Sequence, residues 1–235
     1  MIYITTYPLT QRINPMRKLL LTAAAVAAAM GLACAAEPTG TLTDARDGQK
    51  YRTVVIGGKR WMARNLNYKT DSSWCYGDGY DDKSSDYCKE YGRLYVWNAA
   101  LKACPSGYHL STNQEWRDLI TAVGGNDSAG KILKMKSGWP FYYYRRRDDK
   151  SVKSGSGTDV YGFSALPGGR RGIYSGGEYY YSEAVSYGLW WTATPENHYP
   201  NEALYQSMAL NEDDVFEDRR EKNEGLSVRC VADTP

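Results

Sequence analysis

Few side chains in this sequence suit acid–base or nucleophilic catalysis. The 235 residues include only two histidines, His109 and His198, the residue type whose ordinary pKa lies nearest neutrality. No G-x-S-x-G nucleophile motif is present. The grouped carboxylates, Glu212–Asp214 and Glu217-Asp218, lie in an acidic run that is typical of a solvated loop. For His109, packing or a backbone hydrogen bond is the ordinary role. We therefore predict no catalytic residue.

Cysteines are the second chemically interesting group. Cys34 lies in an N-terminal leader, and Cys75, Cys88, Cys104 and Cys230 remain. An even number of cysteines in an oxidising compartment predicts two disulfides. Of the three pairings that four cysteines allow, we favour Cys75–Cys88 with Cys104–Cys230, because the second would tie the C-terminus to a core helix. A structural zinc site is the alternative, but the sequence lacks the C-x₂-C spacing.

The leader predicts export. Met16-Arg17-Lys18 precedes an apolar stretch that ends in small residues, so we interpret residues 16–35 as a secretory signal. Residues 1–15 fit no part of a signal, and we expect translation to begin at Met16. Ala33-x-Ala35 fits cleavage after Ala35, which we favour, whereas Cys34 resembles the lipidated cysteine of a lipoprotein. A lipid anchor on Cys34 is the one membrane attachment that the sequence suggests. A linker at 36–43 and a single domain at 44–235 would follow.

Composition excludes some partners and suggests others. Residues 1–35 contain three bases and no acid, so the remainder has 26 Lys and Arg against 27 Asp and Glu. This balance gives no basic footprint for nucleic acid. The 21 tyrosines and 7 tryptophans, against 3 phenylalanines, favour a β-rich fold and would suit a binding face.

One helix is signalled clearly. Thr112 and Glu115 form a T-x-x-E capping box, in which each side chain bonds the other residue's backbone N–H. Trp116, Leu119, Ile120 and Val123 then form one apolar stripe, and Gly124-Gly125 ends the helix. Tyr108–Leu110 should be a short extended segment that leads into the cap.

The other elements follow from turns and periodicity. Residues 51–56 and 59–62 should form a hairpin around Gly57-Gly58, with Trp61 and Met62 in the core. We expect helices at 92–103 and 128–135, the second with Asp127 as N-cap. Residues 68–87 should form a solvated loop that is pinned at Cys75 and Cys88, because its aspartates do not match a calcium-binding EF-hand. After Trp139, short strands alternate with glycine turns.

Five segments together resemble the Fibrobacter succinogenes major paralogous domain family. They are TDARDGQKYRTVVIGGKRWMARNLNY (43–68), YGRLYVWNAALKACPSGYHLSTNQEW (91–116), GFSALPGGRR (162–171), YGLWWTAT (187–194) and GLSVRCVAD (225–233). Tyr108 and Ser111 stand where the family usually has Trp and often has Pro. The resemblance implies an α+β fold similar in plan to C-type lectin-like and formylglycine-generating-enzyme-like domains. Two to three helices would pack on a twisted antiparallel sheet with long irregular loops. It also implies a disulfide from a helix to the last strand, and an exported or surface-displayed domain with no established activity. It supplies no catalytic residues.

The lectin-like plan directs ligand binding to the loops between Trp191 and Cys230. Candidate oxygen ligands are Glu196, Asn197, Asn211 and Asp213, and candidate sugar-stacking rings are Tyr199 and Tyr205. Calcium is the cofactor that such loops hold in lectins, although Pro195-Glu196-Asn197 departs from the lectin motif. Of Trp190 and Trp191, alternation along a strand should bury one and leave the other at the core edge.

The function expected from these features is an exported, non-catalytic recognition or surface-display module for carbohydrate or another surface ligand. Two alternatives stay open. One is an enzyme of the formylglycine-generating or carbohydrate-active type. The other is a structural component of the cell envelope.

Overall fold

The computed structural model of the chain describes residues 39–80, 84–143 and 152–233, within a compact unit that spans residues 37–235. Three predictions lie outside the described residues: the upstream extension at 1–15, the export leader with Cys34, and a solvated loop at the arginine run 145–147. No helix in the described ranges is long and apolar enough to cross a membrane.

The described residues form four helices and fourteen strands. The helices are α1 (Ser84–Tyr91), α2 (Trp97–Ala103), α3 (Asn113–Ala122) and α4 (Asn126–Leu133). The strands are β1 (Gly40–Thr43), β2 (Lys50–Ile56), β3 (Lys59–Met62), β4 (Ser73–Trp74), β5 (Leu94–Tyr95), β6 (Tyr108–Leu110), β7 (Phe141–Tyr143), β8 (Val152–Ser154), β9 (Gly168–Ile173), β10 (Tyr179–Ala184), β11 (Tyr187–Pro195), β12 (Glu202–Ala209), β13 (Phe216–Glu221) and β14 (Cys230–Ala232).

The largest sheet is antiparallel, with strand order β1-β2-β3-β14-β6. β2 and β3 form the predicted hairpin, and both turn glycines, Gly57 and Gly58, have positive φ angles of 60° and 75°. The prediction of a linker at 36–43 is wrong at its C-terminal end, because Gly40–Thr43 pair with β2. β14 lies between β3 and β6, so Val231 is opposite both Trp61 and His109.

A second sheet, β11-β12-β13, packs under the helices, since α2 contacts β11 and α3 contacts β11 and β12. The remaining strands pair as the hairpins or ladders β9–β10, β4–β5 and β7–β8. Glu217 and Asp218, expected in a solvated loop, lie instead on β13, an edge strand whose side chains are mostly exposed. Charged residues suit such an edge because they discourage pairing with another chain. The mixed α and antiparallel β class is therefore confirmed.

The helices agree with the sequence where local signals are strong. Thr112 Oγ1 accepts from Glu115 N at 3.2 Å, and Glu115 Oε2 accepts from Thr112 N at 2.8 Å, so the capping box of α3 is confirmed. α4 begins at Asn126, two residues before the predicted start, and Gly125, not Asp127, is its N-cap. Helix α1 occupies part of the stretch that we expected to be a loop.

The helix predicted at 92–103 is wrong in its first turn. Gly92 has a φ of 77°, and a side chain there would meet Leu66 O at 2.7 Å. Leu94 and Tyr95 form β5, which pairs with β4, so α2 starts only at Trp97. Close approach between chain segments thus overrides the apolar periodicity.

The core is built on tryptophans, and Trp190 and Trp191 are both fully buried. Trp190 belongs to a cluster with Trp61, Trp116 and Phe163, and its ring centroid lies 5.8 Å from that of Trp116. Trp191 lies on the other face of β11, in a second cluster. The expectation that one of the pair stays at the core edge is wrong because apolar groups cover both faces of this strand.

Both disulfides have the pairing that we favoured. Cys104, at the C-terminal end of α2, bonds Cys230 of β14, with 5.9 Å between their Cα atoms. Cys75 bonds Cys88 of α1, with 4.9 Å between the Cα atoms.

Candidate functional site

The six predicted ligand residues do not form one site. Glu196, Asn197 and Tyr199 lie in the turn between β11 and β12, whereas Asn211 and Asp213 lie in the turn between β12 and β13. The eight residues of β12 separate these turns, a span of roughly 25 Å at the usual strand rise. A ligand that contacts both turns at once would have to follow the whole strand.

Tyr205 cannot stack on a sugar ring. It is 5% exposed, and its ring packs edge-on against Trp191 with 6.5 Å between the ring centroids. Tyr199 remains exposed, with the guanidinium of Arg219 4.3 Å from its ring centre. Glu196 accepts hydrogen bonds from His198 N at 3.1 Å and His198 Nδ1 at 3.2 Å, which hold the pKa of the carboxyl below its ordinary value.

A lysine ammonium occupies the space beneath the second turn. The Lys134 side chain is buried, and its Nζ donates to Ala209 O at 3.0 Å and Glu212 O at 2.7 Å. Burial lowers the pKa of Lys134 to about 8. Backbone oxygens that could serve calcium are therefore bonded to a cation of the chain itself. Nowhere in the described ranges do three His, Cys, Asp or Glu side chains come together as metal ligands.

His109 is held by carboxylates rather than by the packing or backbone hydrogen bond that we expected. Its Nδ1 lies 2.7 Å from Asp233 Oδ1, and its Nε2 lies 3.0 Å from both oxygens of Glu115. Glu115 also pairs with Lys59 Nζ at 3.2 Å. Partial burial opposes the charge, but the bonds to Asp233 and Glu115 outweigh it and raise the pKa of His109. Both ring nitrogens therefore contact carboxylates, which stabilises the charged form of the ring, in which both nitrogens are donors.

An aromatic surface that we did not expect lies elsewhere, where the disulfide loop meets the hairpin β9–β10. We call it the aromatic ledge and define it as Trp74, Tyr76, Tyr80, Tyr179 and Tyr181. Tyr80 is 74% exposed and Tyr179 is 42% exposed. The ring centroids of Trp74 and Tyr179 are 6.4 Å apart and nearly parallel, and those of Tyr76 and Tyr181 are 5.3 Å apart.

Two devices hold the ledge in place. Tyr80 Oη donates to Tyr179 O at 2.8 Å, so the loop is tied to β10. The guanidinium of Arg171 lies 3.7 Å from the ring centre of Trp74 and 3.3 Å from that of Tyr179. Arg171 is 6% exposed, so these cation–π contacts are largely shielded from water. The rings are therefore presented in a fixed arrangement before any ligand arrives.

The part of the ledge that lies on β10, Tyr179 and Tyr181, could have been predicted from the sequence. Residues 179–181 are three consecutive tyrosines in a predicted strand, and alternation places Tyr179 and Tyr181 on one face. The other half could not be found this way, because β4 and the disulfide loop meet β10 only through the tertiary fold.

The family model of the Fibrobacter succinogenes major domain matches residues 54–232. The chain belongs to this family. Among curated proteins and solved structures, none matches the chain significantly. The matched range of this Fibrobacter succinogenes major domain runs from β2 to β14 and includes both disulfides and the whole ledge.

Proposed function

We propose that this Fibrobacter succinogenes major domain is an exported, non-catalytic recognition module that binds carbohydrate on the aromatic ledge. The observation that carries the proposal is the ledge itself, in which two exposed rings, Tyr80 and Tyr179, and three partly buried ones are held in place beside a disulfide loop. Tyr199 and the turn at its side remain a secondary contact for the same ligand class. The ledge replaces the two turns at the ends of β12 as the main binding surface.

The chemistry of the ledge suits sugars. The apolar faces of pyranose rings stack on aromatic rings, while tyrosine hydroxyls provide hydrogen bonds at the ring edges. Rigid aromatic side chains lose little conformational entropy on binding, which is why Tyr and Trp dominate binding hot spots. Arg171 raises this preorganisation further by fixing the angle between Trp74 and Tyr179.

The arrangement of the chain supports a C-type lectin-like plan. A helix carries Cys104, the last strand carries Cys230, and this strand is inserted between β3 and β6 in the main sheet. The N-terminal and C-terminal parts of the domain thereby meet in one sheet, and the long hairpins of the second half remain available for recognition.

Export is supported by the leader and by the two disulfides, which persist in oxidising compartments. The same disulfides weigh against cysteine-based catalysis, because all four cysteines within the described ranges are bonded to one another. The contacts of both His109 ring nitrogens with carboxylates weigh against its use as a base. Release after Ala35 and anchoring through Cys34 are both compatible with this role.

A glycan array followed by calorimetry tests the proposal. We expect the domain to bind a subset of glycans, and Tyr80→Ala and Tyr179→Ala each to weaken that binding at least tenfold, because each removes a stacking face. Tyr187→Ala is the matched control, since Tyr187 is also exposed but lies on β11 outside the ledge. An array without signal, or an equal loss in the control, would show that the ledge is not a carbohydrate site.

A further inference from the structure

A second surface feature is a cleft of ≈ 460 Å³ that contains three arginines. Its lining includes Arg52 of β2, Arg64 and Asn65 after β3, and Arg229 before β14. Glu90 of α1 is the one acid among the lining residues. This volume falls within the range of sites for small organic ligands. None of the residues that line the cleft belongs to the aromatic ledge.

Arg229 forms the buried side of the cleft. It is fully buried, and its donors reach only neutral oxygens: Asn65 Oδ1 at 2.8 Å, Met62 O at 3.0 Å, Phe163 O at 2.6 Å and Ser164 O at 2.9 Å. These bonds use four of the five guanidinium N–H groups. The charge is thus solvated by backbone and amide dipoles, and among the described residues no carboxylate lies within salt-bridge distance of it.

The two exposed arginines, Arg52 and Arg64, also bond only to neutral oxygens. Arg52 Nη2 donates to Gly162 O at 2.6 Å and to Ser164 Oγ at 2.7 Å. Arg64 Nη2 donates to Lys89 O at 2.7 Å. Within the part of the chain that the structure describes, no carboxylate lies within salt-bridge distance of either guanidinium. These neutral contacts position both side chains at the cleft while leaving their charges available.

Another arginine of the chain shows the contrast. Arg170, which is also mostly buried, pairs with Glu183 at 3.0 Å and with Glu224 at 2.8 Å. Burying a charge without a counter-charge is costly, so proteins usually supply one, as they do here for Arg170. In the cleft, by contrast, none of the three arginines has a salt bridge with a carboxylate of the described residues.

The charges of the cleft act on one another. Burial is the largest effect and lowers the pKa of Arg229 to about 9. The negative charge of Asp159 opposes this, and the positive charges of Arg52 and Arg64 add smaller lowering effects. Arg229 therefore stays charged at neutral pH, but in an environment that disfavours its charge. An anion in the cleft would offset both the burial and the mutual repulsion.

We propose that this cleft binds a small organic anion, whose carboxylate pairs with Arg52 and Arg64 while the charge of Arg229 attracts it from the buried side. Guanidinium groups bind carboxylates through paired, charge-assisted hydrogen bonds. Ala63, Met135 and Leu166, which also line the cleft, provide apolar contacts for the rest of such a molecule. The ligand class is a carboxylate-bearing compound of about the size of one sugar ring, of which a uronic acid is one example. This proposal does not depend on sugar binding at the ledge.

Calorimetry with D-glucuronate, D-glucose and sodium sulfate at constant ionic strength tests the site on the whole domain. We expect glucuronate to bind, glucose to show no binding, and sulfate to bind more weakly than glucuronate. The affinity for glucuronate should fall at least tenfold in the variant R52Q/R64Q, and should also fall in the wild type as salt is added. Both substituted residues are exposed, so the variant should fold, which circular dichroism can confirm.

Arg117→Gln is the matched control, because Arg117 is an exposed arginine of α3 that does not line the cleft. It and Tyr80→Ala should both bind glucuronate as the wild type does, which separates this site from the ledge. The proposal would be overturned by absence of glucuronate binding in the wild type or by unchanged binding in R52Q/R64Q. Equal affinity for sulfate and glucuronate would contradict it too, since the cleft would then recognise charge alone.

Discussion

At the scale of single residues, buried polar side chains bind the elements together. Asn65 is the clearest case, because its Oδ1 accepts from Trp190 Nε1 at 2.8 Å and from Arg229 Nε at 2.8 Å. Its Nδ2 donates to Tyr91 O at 2.7 Å and to Ser227 Oγ at 3.3 Å. One amide thus forms hydrogen bonds with groups from α1, β11 and the segment before β14. It also positions Arg229, the buried arginine of the cleft for which we propose anion binding.

His109 makes stability depend on pH. Its pKa is raised in the folded protein through Asp233 and Glu115, so folding takes up a proton near neutrality. The stabilisation is fully present below the ordinary histidine pKa of about 6.5 and is lost as pH rises through the higher folded value. We expect the midpoint of urea unfolding to fall as pH rises from 6 to 9, and His109→Gln to flatten this slope.

Asp233→Asn is the informative partner variant for this pH dependence. It removes the carboxylate on Nδ1 but leaves the one on Nε2, so it should flatten the slope only in part. A slope that is equally steep in His109→Gln would show that other groups cause it.

At the scale of elements, Gly92 ends α1 and prevents α2 from starting at the same point. It follows α1 directly and has a φ of 77°. We expect Gly92→Ala to cost about 3 kcal/mol in free energy of unfolding, because left-handed strain adds to a clash with backbone. A methyl group there would lie 2.7 Å from Leu66 O and 2.8 Å from Asn65 Cβ.

Gly58→Ala separates strain from clash. Gly58 has nearly the same φ, 75°, but nothing lies within 4 Å of the position of an added methyl group. Its replacement should therefore cost only about 1 kcal/mol, the backbone term alone. Chemical denaturation of the two variants measures the difference, and equal losses would mean that the approach of Leu66 to Gly92 is not a close packing constraint.

Some of these elements could be predicted from the sequence, and others could not because they depend on contacts between distant segments. Helix α3 was predictable because the capping box and apolar stripe are local, lying within twelve consecutive residues of the chain. The start of α2 was not, because β5 exists only by pairing with β4 some twenty residues earlier. The separation of the predicted ligand residues could not be foreseen for a related reason. Spacing along the chain does not reveal that Tyr205 faces Trp191 or that β12 separates the two turns.

At the scale of the whole molecule, the C-terminal strand closes the fold. β14 pairs with β3 on one side and β6 on the other, and Cys230 joins it covalently to the end of α2. The disulfide links residues 126 positions apart, whereas Cys75–Cys88 links residues 13 positions apart. Cross-linking distant positions restricts the unfolded chain more than cross-linking near ones, so the two bonds should differ in their effect on stability.

Paired alanine variants measure that difference. In the chain-entropy model, C104A/C230A should lower the free energy of unfolding by about 5 kcal/mol and C75A/C88A by about 3 kcal/mol. The variants should also differ in function. Loss of Cys75–Cys88 releases the loop that carries Tyr76 and Tyr80, so C75A/C88A should lose glycan binding while the domain stays folded. Glucuronate binding should survive in that variant, because no residue of the anion cleft lies in the released loop. A C75A/C88A domain that still binds glycans at full affinity would show that the disulfide does not hold the ledge in its binding arrangement.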